Sequence, residues 1–434
     1  MIKKIKRLIE IGLGHVFGAY TINKIIAFAT NFVIVRILSK DDYGYFSSAF
    51  NIYCYFNIFT GLGMLSAELL FCTEDRDEIE RRAIYKYTLL AGLLSNVVLG
   101  FIIFGYGAFG PNAIPESRKY IMMFSGLLAV EYIAQYMMCY FRTKKNNKVF
   151  SRLSSANSLL YLIFGGLGAF FFGVPGTISG RYLAYIIISL ISIILLRQNK
   201  IDLFNKYTVQ RGIKKEIWVY SLKNGATTFL NQIIYLIDVT LISTLIADPE
   251  VVASYKFATI VPESLSFIPQ AIMVALIPYY VSNLGNQNWI KRNTTRLIVA
   301  MGIANAIITL LLIVTAPLVI NILGSEKYSD SLVYYQILSL SYFFLATFRL
   351  MSTSLLSVFR KTTYNLVVAA VTGVLNIILD YVLIKNFQAI GAAWATVLSV
   401  IIGSVLSLPY LLYVINTNKL GRKKEDTSGE KNYD

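Results

Sequence analysis

The stretch from Leu297 to Leu323, LIVAMGIANAIITLLLIVTAPLVINIL, runs without a single Asp, Glu, Lys or Arg. About 20 consecutive apolar residues are enough for a helix to cross the ~30 Å of hydrocarbon in a bilayer. Inside lipid the backbone must satisfy its own hydrogen bonds, so such a segment is a helix. Working outward, runs of the same kind recur along the chain, at 15–38, 44–71, 87–109, 120–141, 153–172 and 177–196. A second series follows at 217–246, 252–284, 297–323, 331–359, 364–384 and 389–415. The alternating pattern of a membrane β-barrel is absent. The sequence predicts an all-α polytopic membrane protein with twelve transmembrane helices.

Composition agrees. Apolar residues make up 56% and charged residues 15% of the chain, against about 45–50% and 25% in soluble domains. The net charge of +16 raises nucleic acid as a partner, but the basic residues sit in short loops between spans, where they orient the protein. About 29 Lys and Arg fall on the side of both termini and about 5 on the other; by the positive-inside rule both termini are cytoplasmic. The five are Lys40, Arg118, Lys119, Lys327 and Lys385. Basic Met1–Arg7 leads into an apolar stretch without a small-residue cleavage pattern, so the first run is expected to stay as a span. Cys54, Cys72 and Cys139 show no metal-like spacing and read as buried free thiols. With His15 as the lone histidine, zinc and histidine-based catalysis are set aside, and no cofactor or metal is expected.

The chain divides into halves: an N-terminal lobe over 1–196, a cytoplasmic linker over 197–216, a C-terminal lobe over 217–415 and a polar tail over 416–434. The halves echo each other. Ser39–Phe46 and Asp248–Tyr255 stand at the same place in each, an acidic loop followed by a small residue and an aromatic, and Gly176–Ala184 recurs as Gly391–Ser399. Phe141-Arg142 is matched with Phe359-Arg360. Six spans per half make this a parallel repeat about an axis along the membrane normal.

Val35–Phe46 (VRILSKDDYGYF) resembles the segment joining the first two helices of Wzx-type polysaccharide repeat-unit flippases, and Gly61-Leu-Gly63 fits the same pattern. Leu375–Ile384, followed by Ile390–Thr396, is similar to the late signature of the multidrug/oligosaccharidyl-lipid/polysaccharide exporter superfamily. The resemblance implies two six-helix lobes in a V around a central cavity, alternating between inward- and outward-open forms. It further implies a bacterial inner-membrane flippase that carries a polyprenyl-diphosphate-linked oligosaccharide to the periplasmic leaflet. The expected partners are that lipid-linked substrate, the bilayer and other polysaccharide-assembly proteins, with the chain itself a monomer. Ion-coupled drug antiporters of the superfamily also have twelve spans, whereas its lipid II flippases generally have fourteen. A membrane polymerase or ligase would present a large outer loop, and the outer loops here are short. No GxxxxGK[ST] loop exists for ATP, so membrane potential or an ion gradient is the expected energy source.

Charges inside spans are costly, on the order of 3 kcal/mol each, and point to function. Cations able to meet phosphate oxygens are Lys24, Lys223, Lys256 and Arg349. Asp238, Glu131 and Glu263 are candidates for ion coupling or charge pairing, with Glu131 and Arg349 at equivalent places when the two Phe-Arg ends are overlaid. Pro262 and Pro269 each remove a backbone donor and mark a candidate hinge in the eighth span. Arg36, Arg181, Asp380 and Glu68 lie near span ends, where snorkelling or capping is the expected role.

Overall fold

The computed structural model describes residues 13–198, 207–232 and 234–417, and every regular element among them is helical. Most of the expected tail, part of the linker and the basic N-terminal end lie outside these residues. Nine apolar helical stretches among the described residues are long enough to cross a membrane. In chain order the N-terminal half holds α1 (Leu13–Ile37), α2 (Lys40–Asn57), α3 (Met64–Phe71), α4 (Glu78–Phe109), α5 (Arg118–Phe124), α6 (Leu127–Thr143) and α7 (Asn147–Gln198). The C-terminal half holds α8 (Arg211–Gln232), α9 (Ile234–Leu245), α10 (Pro249–Leu265), α11 (Phe267–Ser282), α12 (Gln287–Gly324), α13 (Leu332–Phe344), α14 (Leu350–Val358) and α15 (Thr362–Asn416).

Two of the nine stretches are hairpins. The 52 residues of α7 would reach about 78 Å as one rod at 1.5 Å per residue, far more than a bilayer's hydrocarbon. Gly173, at φ 62° and ψ −138°, turns the chain back inside the 172–176 connection that the sequence predicts. The returning arm packs so closely that a Cβ on Gly176 would stand 1.9 Å from the Gly168 carbonyl oxygen. In α15 the break falls at Gln388, φ 54° and ψ −141°. Within 211–245, α8 opens on the charged turn of Lys214, Lys215 and Glu216, and Leu236–Leu245 is a shorter apolar helix. Helices α4 and α12 begin earlier than hydropathy indicates, at Glu78 and Gln287, because amphipathic turns carrying Arg81, Arg82, Lys291 and Arg292 continue the helix beyond the apolar run.

The breaks also set the register of the repeat. Helices α6 and α14 end in the same way, with Lys145 (φ 58°) and Arg360 (φ 59°) left-handed and wrapped by returning backbone bonds, Asn146 N–H to Phe141 O and Lys361 N–H to Leu356 O. The offset that carries Lys145 onto Arg360 also carries Gly173 onto Gln388. Phe141 is thus the counterpart of Leu356, and the overlay of Phe141-Arg142 on Phe359-Arg360 is three residues out of frame. The π-helical turn over Leu345–Arg349 adds a further local shift. Glu131 and Arg349 are therefore not equivalent positions.

Each half is held by its own buried aromatics. Tyr132 is fully buried in the N-terminal lobe and its hydroxyl donates to Thr88 O at 2.7 Å. Tyr132→Ala is expected to cost about 3–5 kcal/mol, read as a lowered midpoint of thermal unfolding in detergent.

Candidate functional site

Ser39 caps α2 by accepting from Asp42 N–H, with Asp41 and Asp42 favourably placed at the positive end of the helix. Asp248 caps α10 by accepting from Glu250 N–H, with Pro249 at the first helical position. The two caps fix equivalent helices, and the offset between them carries Ser47 onto Lys256, Phe50 onto Thr259 and Cys54 onto Glu263. Helical spacing places Tyr43, Phe46, Ser47, Phe50, Asn51 and Cys54 on one stripe of α2, and Lys256, Thr259, Ile260 and Glu263 on one stripe of α10. These stripes face each other across a cavity of about 410 Å³ between the lobes. Helix α1 adds Ala27, Thr30 and Asn31, and the two arms of α7 add Asn157, Ser158, Tyr161, Arg181 and Tyr185.

At the end that carries the α1–α2 connection, the side expected to face outward, the lobes are locked together. Arg36 donates to Ile322 O at 2.8 Å and Ser325 Oγ at 3.0 Å, at the end of α12. Reciprocally, Lys327 Nζ donates to Val35 O at 2.9 Å and Leu38 O at 2.6 Å, at the end of α1. Burial, and then the nearby Arg36, lower the pKa of Lys327. Lys40 bridges Asp330 at 2.8 Å and Glu250 at 3.4 Å. A cation at a helix C-terminus meets both orphan carbonyls and the negative end of the dipole. The predicted outer-loop charges Lys40 and Lys327 are thus parts of the closure between lobes.

Of the four predicted cations, Lys256 lines this cavity, with Nζ 3.5 Å from Glu263 Oε1. Lys24 is exposed, with Nζ 5.6 Å from the Tyr20 ring centre, three residues before Ala27 on the same face of α1. Lys223 is exposed on α8, next to Asn224, whose amide donates to Ser66 Oγ at 2.8 Å. Arg349 sits in a smaller chamber of about 100 Å³ inside the C-terminal lobe and donates to Thr372 Oγ1 at 3.0 Å. Glu131 accepts from the Tyr53 hydroxyl and from Gln135 at 2.7 Å, inside the N-terminal lobe. Glu131 and Arg349 thus bond within separate lobes. The expected hinge is a break at Ser266, midway between Pro262 and Pro269, where α10 gives way to α11.

Three residues expected to snorkel or cap at span ends turn inward instead. Arg181 is half-buried, and the surface it exposes faces the cavity, with Phe50 and Tyr161 rings 4.7 and 5.0 Å from its guanidinium carbon. Asp380 is fully buried, within hydrogen-bonding reach of Asp238. Asp238 accepts from Tyr255 at 2.7 Å and Thr396 at 2.6 Å, while its Oδ1 and both Asp380 oxygens are buried without a hydrogen-bond partner. Glu68 is also fully buried, both oxygens without a hydrogen-bond partner. The sequence signal for this pair is spacing: Thr372, Asn376 and Asp380 repeat every four residues on one buried stripe of α15. Arg181 follows the hairpin by two turns, which places it below the outer surface.

Solved structures share this architecture. The lipid II flippase MurJ in an inward-closed conformation matches with a TM-score of 0.72 at 16% identity, over 93% of this chain and 89% of that one. A multidrug resistance MATE family transporter of the MOP superfamily, inward-facing, matches at 0.74 and 14% identity, over 92% and 95%. An outward-facing one matches at 0.59 and 14%, over 95% and 96%. No curated protein sequence matches the chain. The MatE family model matches residues 225–382, and the model described as polysaccharide biosynthesis protein matches residues 12–284. With well over half its length matched, and with the fold of the MOP transporters, the chain belongs to the polysaccharide biosynthesis protein family.

Proposed function

We propose that this protein is a bacterial inner-membrane flippase with twelve crossings and both termini cytoplasmic. It moves a polyprenyl-diphosphate-linked oligosaccharide repeat unit to the periplasmic leaflet by alternating access. The observation that carries the reading is the cavity between the lobes, which combines Arg181 and Lys256 with amides and hydroxyls from Asn31, Ser47, Asn51 and Asn157. Cations meet phosphate oxygens, amides and hydroxyls meet sugar hydroxyls, and the lipid tail stays in the bilayer. The lobe halves bend at Ser266 as the outer closure opens and the inner side shuts.

Energy comes from an ion entering the Asp238–Asp380 pair. Two carboxylates within hydrogen-bonding reach cannot both stay bare in a closed interior; a proton or a monovalent cation must sit with them. The same pair, with the MatE match, favours a second reading, an ion-coupled drug antiporter. The test is reconstitution of the purified chain into vesicles holding a fluorescent lipid-linked oligosaccharide in one leaflet. Protein-dependent appearance of the label in the other leaflet supports the flippase; export of cationic dyes without it supports the antiporter. In cells, Lys24→Ala and Lys223→Ala are expected to abolish surface polysaccharide without lowering protein level. Unchanged polymer in both variants would remove these lysines from the path.

A further inference from the structure

Arg349 is held as a fixed charge inside the C-terminal lobe. It ends the π-helical turn over Leu345–Arg349, and such turns are frequent at functional sites. The guanidinium lies between the two arms of α15. Thr372 on the first arm accepts from it at 3.0 Å. On the second arm, a Cβ at Gly403 would stand 3.0 Å from Arg349 Cζ, so the missing side chain makes room for it. The chamber that Arg349 enters is also lined by Asp238, Asn376 and Thr396, and Asp380 lies within hydrogen-bonding reach of Asp238. Glu263 lines the chamber as well, but it is paired with Lys256 at 3.5 Å. Two carboxylates against one guanidinium leave a single negative charge uncompensated.

We infer that Arg349 sets the valence of the coupling ion: with it in place the Asp238–Asp380 pair takes one monovalent cation, and without it the pair takes a divalent one. The inference rests on the ion-coupling reading above. The ligand atoms do not make this choice themselves. Asp238 Oδ1, both Asp380 oxygens and Asn376 Oδ1 are buried without a hydrogen-bond partner, and such an all-oxygen set also suits calcium or magnesium. The choice comes from charge. Thr372 and Asp380 are eight residues apart on one helix, which puts the guanidinium about 12 Å from the pair. At that separation and an effective dielectric of about 20, a unit charge changes monovalent affinity about tenfold. The energy scales with the ion's own charge, so divalent affinity changes about a hundredfold. Arg349 therefore weakens every cation at the pair, and divalent ones most.

The test uses the purified full-length protein in lipid nanodiscs, with sodium, potassium, calcium and magnesium chlorides as separate probes at fixed pH and ionic strength. A parallel pH series covers the proton, and the midpoint of thermal unfolding is the readout. Wild type is expected to gain stability from a monovalent cation and none from calcium or magnesium. Arg349→Gln is expected to gain about a hundredfold in divalent affinity and about tenfold in monovalent affinity. Arg349→Lys keeps the charge and is expected to keep the wild-type selectivity, which a purely structural arginine would not require. Asn376→Asp adds a carboxylate with Arg349 in place and is expected to acquire divalent binding too, which covers a failure of Arg349→Gln to fold. Adding Asp380→Asn to either variant should abolish the gain. Wild type that binds calcium or magnesium as tightly as a monovalent cation overturns the proposal, as does unchanged selectivity in the folded variants. If selectivity changes as expected but transport ignores the ion gradient, the ion-coupling reading fails and the site stands. If selectivity is unchanged and transport still follows the gradient, the role of Arg349 fails and the ion-coupling reading stands.

Discussion

Gly44→Val is expected to abolish transport and to leave the cavity reachable from outside the cell. A Cβ at Gly44 would stand 2.0 Å from the Pro249 carbonyl oxygen, far inside van der Waals contact. The obstacle is backbone at the capped start of α10 rather than a side chain that could rotate away. Helices α2 and α10 must therefore separate at the outer closure, next to the Lys40 bridges to Asp330 and Glu250. A shift of only about 3 kcal/mol moves a two-state equilibrium more than a hundredfold. Cys54 supplies a natural reporter because it lines the cavity. In a background with Cys72 and Cys139 changed to serine, a membrane-impermeant thiol reagent added outside should label Cys54 at least tenfold faster in the variant. Equal labelling together with full transport would show that the contact does not hold the closure.

The second large effect is expected at the carboxylate pair. Asp238→Asn and Asp380→Asn should each lower gradient-driven transport at least tenfold while raising the unfolding midpoint. Removing one of two facing charges relieves repulsion in a buried site and stabilises the fold by about 1–2 kcal/mol. The same change removes the acceptor charge that draws in the coupling ion. Because three carboxylate oxygens at the pair are buried without a protein donor, the wild type should gain stability on addition of its ion, and neither variant should. Sodium, potassium and proton titrations of the melting midpoint identify the ion. A variant that melts lower than wild type and still follows the ion gradient would show that the pair is structural.

The membrane class and much of the path of the chain were legible in the sequence because hydrocarbon imposes length and composition directly. The acidic connections at Ser39 and Asp248 are found as helix caps, and the 172–176 connection as the turn at Gly173. The site was less legible. Intramembrane charge marks where something happens, but not which way a side chain faces, and distance to a span end is a poor measure of depth. Distance to a span end misplaces Arg181, which the α7 hairpin folds back into the cavity, and Asp380, which packs beside Asp238. A two-residue match also put Glu131 opposite Arg349, whereas left-handed helix ends and hairpin breaks, invisible in composition, fix a different frame. Lys256, Glu263 and Asp238 do line the chambers, because the α10 stripe and the α9–α15 packing bring them there.

The crossed arginine and lysine of the closure tie the proposed opening of the lobes to hydration. Val35, Leu38 and Ile322 offer their carbonyls to side chains of the opposite lobe. When the lobes part, those oxygens and both cations lose their mates together, and only incoming solvent can take over. Wetting of the crevice is then inseparable from the proposed opening, because hydration of these carbonyls and of the two cations offsets part of the cost of breaking their bonds.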